Sequence, residues 1–131
     1  RAATFWPCGG AWLGLHIWEH YRYTLDKEFL KEYYPILDDL ALFFVDFLIE
    51  DSQGYLVTCP SVSPENRFIT EEGYDTPICA GPAIDNQIIR ALMRAVLNGF
   101  QGKTSGVGKR RKRTDTGYGA CFPSLGSVSG R

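Results

Sequence analysis

At 131 residues, with 44% hydrophobic and 22% charged side chains, the chain has the size and balance of one globular domain. A formal net charge of −1 gives, for the molecule as a whole, no argument for nucleic acid or a membrane as partner. No stretch approaches the ~20 consecutive apolar residues of a membrane-spanning helix.

The four cysteines, Cys8, Cys59, Cys79 and Cys121, lie too far apart for a C-x-x-C zinc pair. They read as sparse buried thiols, with disulfides as the alternative in a secreted setting. Arg1 is not followed by an apolar run of signal-peptide length. There is no initiating methionine, and Met93 is the single Met, so the chain reads as a fragment of a longer protein.

Phe5-Trp6-Pro7 leads into Gly9-Gly10 and then a helical stretch, Ala11 to Tyr23, that is apolar on nearly every side. Such a helix belongs inside a larger α-structure, and Gly9-Gly10 permits close backbone approach at its start. Trp6, Trp12, His16, Trp18, Glu19 and His20 place aromatic faces beside hydrogen-bonding groups. Sugars favour that mixture, since their C–H faces pack on rings while their hydroxyls need polar partners. A helix core with two satisfied histidines is the plainer alternative.

Thr24-Leu25-Asp26 closes this helix and opens the next, with Asp26 as N-cap. The spacing predicts a short helix over 28–34, a joint at Pro35, and a second helical run over 36–49. Leu37, Leu40, Ala41, Phe44 and Leu48 form its stripe. Asp38, Asp39, Asp46 and Glu50 mark a solvated face. The two elements joined at Thr24-Leu25-Asp26 make an αα-hairpin.

Asp51-Ser52-Gln53-Gly54 is a turn by composition, and Tyr55 to Thr58 an extended segment. From Cys59 to Gly81 no helical period appears, and a loop of that length in a compact domain is usually functional. Its head is Thr58-Cys59-Pro60-Ser61-Val62-Ser63-Pro64-Glu65-Asn66-Arg67. Two prolines stiffen a segment that presents one carboxylate beside an amide and a guanidinium. Rigid presentation limits reorganisation in a reaction. The plainer alternative is a surface loop in which Glu65 pairs with Arg67. Glu71-Glu72-Gly73 is a further turn, and Pro82 starts a helix over 83–97 striped by Ile84, Ile88, Leu92, Ala95 and Val96. Asp85, Asn86 and Gln87 sit in its first turn, where the positive helix end favours a carboxylate.

After Asn98-Gly99 the texture turns to Gly, Ser, Lys and Arg, including the cationic run Lys109-Arg110-Arg111-Lys112-Arg113. Residues 101–131 read as a low-complexity tail, disordered or a gene-model artefact.

In order, Trp6-Pro-x-Gly-Gly-Ala-Trp-Leu, His16-x-Trp-Glu-His-Tyr, Thr24-x-Asp-x-x-Phe-Leu, Leu56-Val-Thr-x-Pro-Ser-x-Ser-Pro-Glu-Asn and Ala80-Gly-Pro-x-x-Asp-x-Gln-Ile-Ile-Arg resemble the catalytic domain of glycoside hydrolase family 95, the α-L-fucosidases. The resemblance covers about residues 5 to 96. It implies an all-α fold with a long ordered catalytic loop, residues 1–100 forming part of an (α/α)6 barrel. It also implies inverting release of terminal fucose from oligosaccharides or glycans, in a secreted or vacuolar setting, with no cofactor and no metal. By resemblance Glu65 is the general acid, which requires a raised pKa. Asn66, Arg67, Asp85 and Gln87 are then candidates for orienting it or for contacting sugar, joined by His16, Trp6 and Glu19. The family's water-activating asparagines and aspartate lie in motifs outside this chain, so a fragment inactive alone is expected. Two non-enzymatic alternatives stand beside it: a helical interaction fragment, or a carbohydrate-binding fragment.

Overall fold

The computed structural model describes residues 5–103. Three helices enclose one apolar core, and three two-stranded ribbons fill the long connection between the second and third helices. The first helix, α1, spans Gly9–Thr24 and ends at Leu25, whose left-handed φ of 55° turns the chain back. The second, α2, spans Lys27–Phe47. Its N-cap is Asp26, whose carboxylate accepts from the Phe29 N–H at 3.0 Å, satisfying one of the helix's unpaired donors. The expected αα-hairpin is present.

The expected joint at Pro35 is not. Pro35 sits inside one continuous helix. Leu30, Tyr34, Leu37, Ala41 and Phe44 recur at four- and three-residue steps and are all buried. A break at residue 35 would take half of that stripe off the core. Burying each large apolar side chain is worth ~1.5–3 kcal/mol, and together they outweigh the ~3 kcal/mol that proline costs within a helix. Pro35 itself lies on the exposed side of the helix.

The close approach expected at Gly9-Gly10 occurs one turn later. A Cβ on Gly14 would run into the Leu40 side chain, whereas one on Gly9 would meet only the Trp6 ring at 3.9 Å. α1 buries Ala11 and Gly14 against the other helices, while Trp12 and Leu13 remain 55% and 65% exposed. The helix is thus buried on one side, not all round.

Beyond α2, β1 (Ile49–Glu50) pairs antiparallel with β2 (Leu56–Val57) in the register Ile49↔Val57. The connecting turn is held by Asp51, whose side chain accepts from the N–H groups of Gln53 and Tyr55. β3 (Ser61–Val62) pairs with β6 (Ile78–Cys79), and β4 (Phe68–Ile69) with β5 (Asp75–Thr76), both antiparallel. The segment read as irregular is therefore a hairpin, β4–β5, carried on a second antiparallel pair. Gly81 closes it: its N–H donates to the Thr58 carbonyl at 2.8 Å. Its φ is +58°, and a Cβ would lie 2.9 Å from Val57 Cγ1.

The third helix, α3, spans Ala83–Lys103, running past the expected end near residue 97. Gly99 is no stop signal: it is a buried helical residue against the Tyr34 ring, and a Cβ there would lie 2.7 Å from Tyr34 Cε2. The Tyr34 hydroxyl donates to the Val96 carbonyl at 3.0 Å, tying α2 to α3. The core consists of Cys8, Ala11, Leu30, Leu37, Phe44, Ile88, Ile89, Leu92, Met93 and Val96 with their neighbours. The cationic run 109–113, Cys121 and nearly all of the expected tail lie outside the described residues. Among the described residues, no helix is long and apolar enough to cross a membrane.

Candidate active site

Ser63, Pro64, Glu65 and Asn66 form a tight turn: the Asn66 N–H donates to the Ser63 carbonyl at 3.0 Å. Pro64 occupies the second position, where its fixed φ suits the turn. Glu65 occupies the third with φ of 62°. This is the geometry of a type II turn, whose third position ordinarily takes glycine because the left-handed conformation costs an L-residue ~1–2 kcal/mol. The Asn66 side-chain amide reinforces the turn by donating to Ser63 Oγ at 2.9 Å. Glu65 and Asn66 are both exposed.

The expected neighbour Arg67 turns away from Glu65. Its Nε donates to both carboxylate oxygens of Asp75, at 2.9 and 3.1 Å, locking the β4–β5 hairpin. Among the described residues, neither the ion pairs nor the side-chain hydrogen bonds involve the Glu65 carboxylate. The plain loop reading, with Glu65 paired to Arg67, is not what forms.

Asp85, expected at the loop mouth, is fully buried. Its Oδ1 accepts from the Trp6 indole N–H at 2.8 Å, and its Oδ2 from the hydroxyls of Thr58 at 2.7 Å and Ser61 at 2.5 Å. These donors lie 79, 27 and 24 residues away along the chain. Its place in the first turn of α3 adds the positive end of the helix dipole. Cys8, also buried, hydrogen-bonds the same carboxylate; burial first, then the Asp85 charge, pushes its thiol far above the ordinary range and keeps it protonated. Cys79 is likewise pushed up, chiefly by burial. Sequence reasoning singled out Asp85 and Trp6 but missed Thr58, Ser61 and Cys8. The available signal was a pair of small hydroxyls flanking Cys59-Pro60, whose peptide bond is cis.

A groove of about 570 Å³ runs between α1 and α3, where Trp12, His16, Trp18, Glu19, Arg94 and Asn98 line it. His16 and Glu19 are thus together, apart from the turn that carries Glu65. Glu19 is also held by Arg22 at 2.8 Å. Trp12 links the groove to Trp6 and so to Asp85, because the two rings lie 6.0 Å apart at a tilt of 57° and the Trp6 indole bonds that carboxylate. No cluster of three His, Cys, Asp or Glu side chains suited to a metal ion occurs among the described residues.

Chain residues 1–114 match the model of the "Glycosyl hydrolase family 95 catalytic domain". The chain belongs to glycosyl hydrolase family 95. Its similarity to "Alpha-L-fucosidase 2" of Arabidopsis thaliana is 42% identity over 105 residues, covering 78% of this chain and 12% of that protein. To "Probable alpha-fucosidase A" of Aspergillus niger it is 33% identical over 99 residues, or 72% of this chain and 12% of the relative. The chain therefore spans about an eighth of the length of these family 95 relatives.

Proposed function

We propose that this chain is the acid-bearing segment of an inverting α-L-fucosidase, with Glu65 as the general acid. The observation that carries the reading is the backbone of Glu65. A left-handed φ on a glutamate is a local cost, and such costs persist where surrounding structure imposes them for a purpose. Here the turn's own hydrogen bonds and Pro64 impose it, and the result is a carboxyl group held outward on a stiff support, with no hydrogen-bond or ion-pair partner among the described residues. That is what proton delivery to a glycosidic oxygen demands: a fixed direction and a free carboxyl.

In the proposed reaction Glu65 protonates the leaving oxygen as the fucosyl C–O bond breaks, while water adds from the opposite face. The groups that activate that water belong to other segments of the longer catalytic domain. The three helices are three members of an (α/α)6 barrel, and the groove between α1 and α3 borders its interior. The substrate is a fucosylated oligosaccharide or glycan, for which His16, Trp12 and Glu19 offer rings and polar groups. No cofactor enters the scheme.

The test is Glu65→Gln in the longer enzyme, assayed on two substrates. An alkyl fucoside, whose leaving group needs protonation, should lose ~10²–10⁴-fold in kcat. Fucosyl fluoride, whose departure does not depend on that proton, should be nearly spared. The 131-residue chain alone should release no fucose from either. Equal activity of Glu65→Gln and the parent on the alkyl fucoside would refute the assignment.

A further inference from the structure

The placement of Asp85 raises a question the acid assignment leaves open, namely what holds the turn of Glu65 in place. Asp85 cannot reach a substrate itself. It is fully buried, and both carboxylate oxygens are engaged by donors from within the protein. Two of those donors, Thr58 and Ser61, stand on either side of Cys59-Pro60, where the long loop leaves β2, and both are fully buried. The same point receives the loop's return strand, since the Gly81 N–H donates to the Thr58 carbonyl. From Ser61 the path to Glu65 is short and stiff. Ser61 and Val62 are locked in register with Cys79 and Ile78, Val62 is 3% exposed, and the hydrogen-bonded turn follows at once.

We propose that Asp85 is the positioning residue of the general acid: one buried carboxylate on α3 that anchors the root of the loop through Thr58 and Ser61, and so sets the direction of Glu65. The inference rests on the reading of Glu65 as acid. Trp6 extends the anchor to the start of α1. With its indole N–H given to Asp85, Trp6 keeps only its ring face for other partners. Buried polar networks of this kind are satisfied as a unit, so loss of one hydroxyl releases the loop root without removing any group from the reacting centre.

Thr58 supplies a sharp experiment because its hydroxyl and its methyl group are separable. Thr58→Val keeps the volume and loses the donor; Thr58→Ser keeps the donor and loses a methyl group. In the longer enzyme, Thr58→Val and Ser61→Ala should each lower kcat on the alkyl fucoside by roughly tenfold to a hundredfold, the scale of a small misplacement of a catalytic group. Both should leave kcat on fucosyl fluoride within about twofold, and KM near the parent value, since acid delivery alone is affected. Thr58→Ser should restore activity on the alkyl fucoside. A packing role predicts the opposite order, with the valine variant active and the serine variant impaired, and that result would overturn the proposal. So would equal losses on both substrates. Glu65→Gln run in parallel keeps the two ideas apart. If it shows the substrate split and the Thr58 and Ser61 variants do not, Asp85 does not position the acid, although Glu65 remains the acid. If Glu65→Gln shows no split, the acid assignment fails and this proposal falls with it.

Discussion

Gly99→Ala sets local preference against tertiary contact at one atom. In an exposed helix interior the change should stabilise by ~1 kcal/mol, because alanine loses less backbone freedom than glycine. Here the new Cβ would stand 2.7 Å from Tyr34 Cε2, 3.0 Å from Cδ2 and 3.7 Å from Trp18 Cζ3. The Tyr34 ring has little room to yield: it is 6% exposed, and its hydroxyl is tied to the Val96 carbonyl. Overpacking a filled site costs ~1–3 kcal/mol, and dragging the hydroxyl from its acceptor adds ~1 kcal/mol. Setting these against the helix preference leaves a net loss of about 1–3 kcal/mol. For a domain of this size that lowers Tm by at least ~4 °C, readable by circular dichroism of the chain. In a Tyr34→Leu background the penalty should vanish and Gly99→Ala should turn neutral or stabilising. A single variant as stable as the parent, or more so, would refute the close approach of α2 to α3 at this point.

Tyr34 also predicts a pH dependence. Burial, with the nearby Asp38 charge second, pushes its phenol from 10.0 up to about 12. The folded chain therefore holds this proton more tightly than the unfolded one. The resulting stability is fully present below pH 10 and is lost as pH rises toward 12, by about 3 kcal/mol at one unit per 1.36 kcal/mol. Urea midpoints measured between pH 9 and 12 should fall more steeply for the parent than for Tyr34→Phe; parallel curves would contradict this. Asp26→Ala should cost ~1 kcal/mol through loss of the α2 cap, with Asp26→Asn or Asp26→Ser nearly neutral. Equal urea midpoints for the alanine variant and the parent would argue against the cap.

Features set within a few residues were legible without a structure. Asp26 caps α2 because its acceptor and the Phe29 N–H are three positions apart, a relation any chain with that sequence can form. The hairpin of α1 and α2 follows from an apolar helical stretch, a periodic one after it, and the short link Thr24-Leu25-Asp26 between them. The stiff, non-helical backbone of the loop head follows from Pro60 and Pro64 themselves, and the family from motifs in order along the chain.

Tertiary structure decided what depended on distant partners. Pro35 ought to end a helix by its own chemistry, yet five buried side chains of one stripe keep the helix whole. Gly99 ought to stop α3, yet the Tyr34 ring makes glycine the residue that fits. Arg67 stands two residues from Glu65 and bonds instead to Asp75, because the β4–β5 pairing brings that carboxylate within 2.9 Å. Asp85 looked like a polar group at a helix start facing the loop mouth. Its donors lie 24 to 79 residues away, and only the packing of α1, α3 and the loop brings them to it. Local sequence determines which conformations a segment prefers, whereas the solvation and partners of a buried charge are properties of the assembled fold.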